Sequence, residues 1–124
     1  MRWSILILSL LFQAGLQAQT PARSLNDLKA FFAANCVKCH GPDGSARSAE
    51  GKKLGGRDFT EAERLAKDKD ESLAKTIRKG IFFGTVMPAF KDQLSEAEAL
   101  MLVQEVLRRA EKGKVIAPSG EPPR

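Results

Sequence analysis

Residues 36–40 read CVKCH. Two cysteines stand three apart, and the only histidine of the chain follows the second directly. No other cysteine or histidine occurs in the 124 residues, so the pentad must be read from its own spacing and from what surrounds it. Three chemistries use such a pair. A disulfide-exchange site belongs beside a βαβ pattern, at a helix N-terminus that lowers the thiol pKa. Here the pair follows a helical stretch, and no segment alternates like a strand. A structural zinc takes four tetrahedral ligands, and this chain offers only Cys36, Cys39 and His40. The third is covalent haem, for which C-x-x-C-H is the attachment pattern. Two thiols at this spacing reach the two vinyl groups of one porphyrin edge, and the adjacent histidine swings beneath the ring to meet the iron. Haem is the reading we adopt. Thioether formation also consumes thiols that an oxidising compartment would otherwise pair.

The start of the chain supports such a compartment. In MRWSILILSLLFQAGLQAQT, Arg2 precedes an apolar run from Ile5 to Phe12, followed by small and polar residues. The run is too short for a bilayer span of about 20 residues and has the layout of a secretory signal peptide. We expect residues 1–18 to be cleaved, residues 19–23 to form a leader, residues 24–113 to form one domain and residues 114–124 to be a disordered tail. An uncleaved anchor is the alternative, and it would be the only route to a membrane. The formal charge of +5 is mildly basic. It suits an acidic partner. With no basic run interleaved with aromatics, no tyrosine and the only tryptophan (Trp3) in the expected signal peptide, it does not indicate nucleic acid.

The helices follow from apolar spacing. Ser24 opens a capping-box-like start with Asp27, and Leu25, Leu28 and Phe32 form one face that runs into Cys36. Gly41, Pro42 and the Asp43–Gly44 pair stop it. Residues 45–58 read as a loop, and a short helical segment is expected within 60–67. A clearer helix is expected from Glu71 to Lys79, with Asp70 as N-cap, Leu73 and Ile77 as its stripe and Gly80 as its end. The strongest pattern is the last. SEAE (95–98) is a capping box, and Ala99, Leu102, Val103, Val106, Leu107 and Ala110 share one face up to Gly113.

One apolar segment has no place in a set of short helices. IFFGTVMPAF (81–90) contains Gly84 and Pro88, so it forms no regular helix. At about 25 cal/mol per Å² of buried apolar surface, Ile81, Phe82, Phe83, Val86, Met87 and Phe90 require a large apolar body to lie on. A haem supplies that body, which places this segment on its second face. The iron then needs a sixth ligand or has an open site. Beyond Met1 the methionines are Met87 and Met101. Met101 falls among Glu98, Glu105 and Arg108 on the polar side of the last helix, whereas Met87 lies in the apolar loop ahead of Pro88. Met87 is therefore the expected distal ligand.

The stretches CVKCHGPDG (36–44), KG (79–80), MPAF (87–90) and LSEAEALMLVQEVLR (94–108) resemble those of small bacterial class I cytochromes c, from about Leu25 to Arg109. The separation of His40 from Met87 suits the short-loop branch of that family. The resemblance implies an all-α fold of three to four short helices wrapped around one covalently bound haem. It also implies that the first and last helices cross, that Cys36 and Cys39 are the thioether positions and that His40 and Met87 are the axial ligands. Family members often carry a proline whose carbonyl orients the proximal histidine. This chain has none between Pro42 and Pro88, so we expect a carbonyl of the Ala49–Leu54 loop, or water, in that role.

The expected function is single-electron transfer between redox partners by an exported, periplasmic, monohaem protein that is not itself an enzyme. Met/His ligation raises the reduction potential. Docking is expected at the haem edge near Lys38, with Lys52, Lys53, Arg57, Lys79 and Lys91 around it. Two alternatives remain: a haem subunit of a larger oxidoreductase, or a five-coordinate haem reactive toward gases or peroxide. The second needs a polar distal group, and Thr85 is the only polar side chain in the distal loop.

Overall fold

Two serines set the frame. In a computed structural model, which describes residues 22–120, Ser24 and Ser95 each begin a helix with a complete capping box. Ser24 Oγ accepts from the Asp27 N–H at 3.1 Å, while the Asp27 carboxylate accepts from the Ser24 N–H at 2.9 Å. Ser95 and Glu98 repeat the exchange at 3.1 and 3.0 Å, so orphan N–H groups at both starts are satisfied. The helices are α1, Leu25–Asn35, and α5, Glu96–Leu102. Glu98 also ties the two starts together, because its carboxylate accepts from the Arg23 N–H at 3.2 Å. The Arg23 guanidinium adds the Gln93 carbonyl as a second acceptor.

Three further helical segments lie between them: α2, Val37–His40; α3, Ala62–Leu65; and α4, Asp70–Lys79. Beyond α5 the chain widens into a π turn over Val103–Leu107. The Arg108 N–H donates to the Val103 carbonyl at 2.9 Å, five residues back. The fold is the all-α one expected, with β-structure among the described residues limited to two isolated bridges, Arg47 with Lys53 and Ile81 with Met87. α1 packs against α5 and the π segment, and α4 packs against both of those. Leu28, Phe32, Leu65, Leu94, Leu102 and Val103 are fully buried in a single core. The stripe of the last helix is buried from Ala99 to Leu107, while Ala110, expected to continue it, is half-buried beyond the π turn.

Some local expectations need correcting. Asp70 does not cap α4; Lys69 holds that position, and Asp70 is the first helical residue. Its carboxylate accepts instead from Arg108 Nε at 2.6 Å and Gln104 Nε2 at 3.1 Å, a long-range pairing that displaces the local cap. Arg108 also donates to the Leu65 carbonyl at 2.9 Å and the Asp68 carbonyl at 2.6 Å. The corner between α3 and α4 is thereby fastened to the end of the π segment. Residues 114–120 lie along the body rather than away from it: the Ile116 N–H donates to the Pro42 carbonyl at 2.8 Å, and the Ser119 N–H donates to Asn26 Oδ1 at 3.1 Å. Residues 1–18, expected to be a signal peptide, fall outside the described residues. Among the described residues no helix is long and apolar enough to cross a membrane.

Leu102 is 1% exposed at the centre of this packing. Leu102→Ala should destabilise the protein by about 2–5 kcal/mol, against about 1 kcal/mol for removing the cap with Ser95→Ala. Urea midpoints at unchanged m-value check the order, and equal losses would place the main support of α5 at its cap and not in its core face.

Candidate haem-binding site

The pentad lies at a break between two helical segments. Cys36 closes α1, with its N–H donating to the Phe32 carbonyl at 2.9 Å, and it also opens α2. Gly41, at φ 78°, ends that turn. A Cβ there would stand 2.4 Å from the Arg47 carbonyl oxygen, so the tight exit from the motif requires glycine. Both thiols are free; Cys39 is exposed and Cys36 half-buried. Burial pushes the Cys36 thiol up to about 12, with the nearby Cys39 adding to the shift. A nucleophile of the disulfide-exchange kind needs the opposite shift.

His40 is held on three sides. Its Nδ1 lies 2.9 Å from the Arg57 carbonyl oxygen. A carbonyl only accepts, so Nδ1 carries the proton and Nε2 is left as the bare nitrogen. Its ring stacks on Phe59 at 4.6 Å with 22° between planes. Its own carbonyl accepts from the Ala46 N–H at 2.8 Å. Burial lowers the pKa of His40, opposed by the hydrogen bond to Arg57, so the neutral, metal-ligating form is favoured. The orienting carbonyl is therefore that of Arg57 and not one from the Ala49–Leu54 loop. Leu54 returns to the motif side through a bond from its N–H to the Ala46 carbonyl, and this carries residues 56 and 57 up to the pentad. The Gly56 N–H donates to the Cys39 carbonyl at 2.7 Å. A Cβ on Gly56 would meet that oxygen at 2.3 Å and His40 Nδ1 at 2.7 Å, whereas one on Gly55 would meet nothing within 4 Å.

Met87 is presented by a closed loop. After α4, Gly80 turns the chain at φ 71°, and a Cβ there would stand 2.5 Å from the Met87 carbonyl oxygen. The Ile81 N–H donates to that same oxygen at 3.0 Å. Beyond Pro88, the N–H groups of Phe90 and Lys91 donate to the Ile77 and Arg78 carbonyls, both at 3.1 Å. The loop is thus anchored to the end of α4 on both sides of Met87.

One cavity of about 610 Å³ is lined by Cys36, Cys39, His40 and Met87 together. Its apolar walls include Phe59, Leu73, Ile77, Ile81, Val86 and Phe90. Two thiols, a bare imidazole nitrogen and a thioether in one largely apolar cavity are a donor set that fits a covalently held haem. Met101 does not line it, although the expectation that Met101 points away from the core needs correcting: it is half-buried and packs against the core. The apolar loop is also only partly committed to the cavity. Phe82 and Phe83 are turned to solvent, 73% and 106% exposed, and both have left-handed backbones, at φ 50° and 53°. The Thr85 hydroxyl donates to the Phe82 carbonyl at 2.6 Å and takes no part in the lining.

Sequence reading missed Gly56 and Phe59, and also Ser72 and Thr76 of α4, as lining of the cavity, and it placed Arg57 only in the docking ring and Leu107 only in the stripe of the last helix, whereas both also line the cavity. The Gly55–Gly56 pair was the available signal, since paired glycines mark close backbone approach. Lys38, Lys52, Lys53, Lys79 and Lys91 are all exposed.

A family model described as cytochrome c oxidase, cbb3-type, subunit III matches residues 23–104. Among solved structures, the KustC0563 c-type cytochrome is 34% identical, with a TM-score of 0.54 over 68% of this chain and 96% of its own. The c-type cytochrome XoxG from Methylobacterium extorquens AM1 is 24% identical, with a TM-score of 0.48 over 78% of this chain and 57% of its own. No curated protein matches the chain.

Gly56→Ala should force the 56–57 segment away from the pentad and lower stability by about 1–3 kcal/mol, the usual result of overpacking. Gly55→Ala should leave the thermal midpoint of the haem-loaded protein in place. Equal midpoints for the two variants would show that the close approach at Gly56 has no energetic weight.

Proposed function

We propose that this chain, which belongs to the cytochrome c family matched over residues 23–104, is an exported carrier that binds its haem c through Cys36 and Cys39 and its iron through His40 and Met87. Haem c, attached covalently, supplies the one-electron couple of the iron. The observation that carries the reading is the convergence of these four residues on one apolar cavity. The parts of the chain then have separate tasks. The Arg57 carbonyl holds the proton on Nδ1, which leaves Nε2 free for a metal and raises the basicity of the ring. The loop closed by Ile81 and Met87 fixes where the thioether stands. The apolar walls keep water from the iron, which weakens solvation of the oxidised, more highly charged state. With Met87 on the iron, no open position would remain for oxygen chemistry. Export to the periplasm is supported by the signal-peptide pattern of residues 1–18.

Docking of redox partners at the edge near Lys38 is part of the same reading. Lys38 stands between the two attachment cysteines and is exposed, so it lies where an electron would leave. An acidic partner would be oriented there by charge.

Two measurements test this. The oxidised holoprotein should show a thioether-to-iron charge-transfer band that is lost entirely in Met87→Ala and kept in Met101→Ala, with a lower reduction potential only in the former. The reverse pattern would move the ligand to Met101. Electron transfer to an anionic acceptor should slow as salt shortens the Debye length from about 30 Å at 0.01 M to about 8 Å at 0.15 M. Lys38→Glu should flatten that dependence more than Lys112→Glu; equal effects would reduce the docking surface to net charge alone.

A further inference from the structure

We infer that the Arg57–Asp68 ion pair is a positioning device for the proximal histidine, taking the part that a fixed proline plays elsewhere. The inference rests on the reading of His40 as an axial ligand. Arg57 contributes two groups in different directions. Its carbonyl accepts from His40 Nδ1 at 2.9 Å, and its guanidinium donates to Asp68 Oδ2 at 2.5 Å. A second, longer bond runs from the guanidinium to the Arg64 carbonyl at 3.4 Å. Residue 57 lies in a stretch without regular structure, so no helix or sheet fixes the direction of its carbonyl. No proline ring locks φ there either.

The anchor is Asp68, which is itself held. Its N–H donates to the Leu65 carbonyl at 3.1 Å, and its carbonyl accepts from Arg108 at 2.6 Å. Arg108 follows the buried π segment and also binds Asp70 and the Leu65 carbonyl. A continuous set of bonds therefore runs from the core of the last helix through Arg108, Asp68 and Arg57 to the imidazole. The side chains of the Arg57–Asp68 pair are 38% and 39% exposed. An exposed pair contributes little to stability, but orienting one carbonyl needs little. The acceptor at Nδ1 sets the basicity of the ring, and a more basic ring favours the oxidised iron. Loss of the pair should loosen the acceptor and favour reduction.

The sign of the effect separates this from simple charge. Removing the Asp68 anion raises the potential by through-space electrostatics, and removing the Arg57 cation lowers it. Loss of positioning raises it in both cases. The test uses haem-loaded protein labelled with ¹⁵N-histidine, in which the chain's only histidine gives one imidazole. Asp68→Asn and Arg57→Met should each shift the reduction equilibrium toward the reduced form by up to about tenfold, about 59 mV for one electron. Both should also speed exchange of the Nδ1 proton with water. Arg64→Met and Glu61→Gln, which break the neighbouring exposed pair, should leave the Nδ1 proton exchange unchanged, and any shift in potential should follow the sign of the charge removed. A lowered potential in Arg57→Met would mean that the guanidinium acts through its charge, and unchanged proton exchange in isosteric Asp68→Asn would mean that the pair positions nothing; either overturns the inference. An Nε2 resonance without paramagnetic shift in the oxidised wild-type protein would instead overturn His40 ligation itself, which a failure of the positioning device alone would leave intact.

Discussion

Two consecutive residues, Gly56 and Arg57, hold the site. The Gly56 N–H binds the Cys39 carbonyl at 2.7 Å, and the Arg57 carbonyl binds His40 Nδ1 at 2.9 Å. One segment therefore fixes both the backbone of the attachment motif and the tautomer of its histidine. The loop that precedes it is shaped to make this return. Leu54 bonds back to Ala46, Ala46 to the His40 carbonyl, and Phe59 to the Gly44 carbonyl at 2.7 Å. Phe59 is then in place to stack on the imidazole. The approach is so close that residue 56 has no room for a side chain, and this local exclusion is the constraint that the rest of the proximal loop obeys.

The Met87 side uses the same device with different chemistry. Gly80 stands where a Cβ would meet the Met87 carbonyl oxygen at 2.5 Å, and the loop between them closes on the Ile81–Met87 bridge. Closing it over so few residues forces Phe82, Phe83 and Gly84 into left-handed conformations. Glycine takes these readily, but a side-chain-bearing residue does so at a cost of order 1–3 kcal/mol. The strain sits at the tip of the loop, away from Met87, and Thr85 binds the Phe82 carbonyl to stabilise it.

Much of this is legible in the sequence. The pentad, the two capping boxes and the buried face from Ala99 to Leu107 are local patterns, each set by spacing along one segment. What spacing could not give is long-range. Asp70 reads as a cap because its neighbours are helical, yet Arg108, far along the chain, claims its carboxylate. Met101 reads as exposed on a regular helix, and it packs against the core just ahead of the π turn. Phe82 and Phe83 read as wall residues by hydrophobicity alone; the short closure of their loop turns them out. The carbonyl facing His40 is hidden most completely, because any residue type can supply it. Only the need for glycine beside it left a trace in the sequence.

The molecule divides into a part that packs on itself and a part that packs on the cofactor. Leu28, Phe32, Leu94, Leu102 and Val103, from α1, the approach to α5, α5 itself and the π turn, are fully buried against protein. Leu73, Ile77, Ile81, Val86 and Met87 line the cavity, and a haem c held there would lay its apolar face against them. The two parts meet at α4, whose buried Ala74 and Ile77 belong to the core while Leu73, Ile77 and Thr76 reach the cavity. At about 25 cal/mol per Å², covering those walls adds to stability in proportion to the area enclosed, and the thioether links make that contribution permanent. Under the proposed attachment at Cys36 and Cys39, the cofactor would be tied to the core as well as supply the redox centre, and the close backbone contacts at Gly41, Gly56 and Gly80 stand beside His40, Cys39 and Met87.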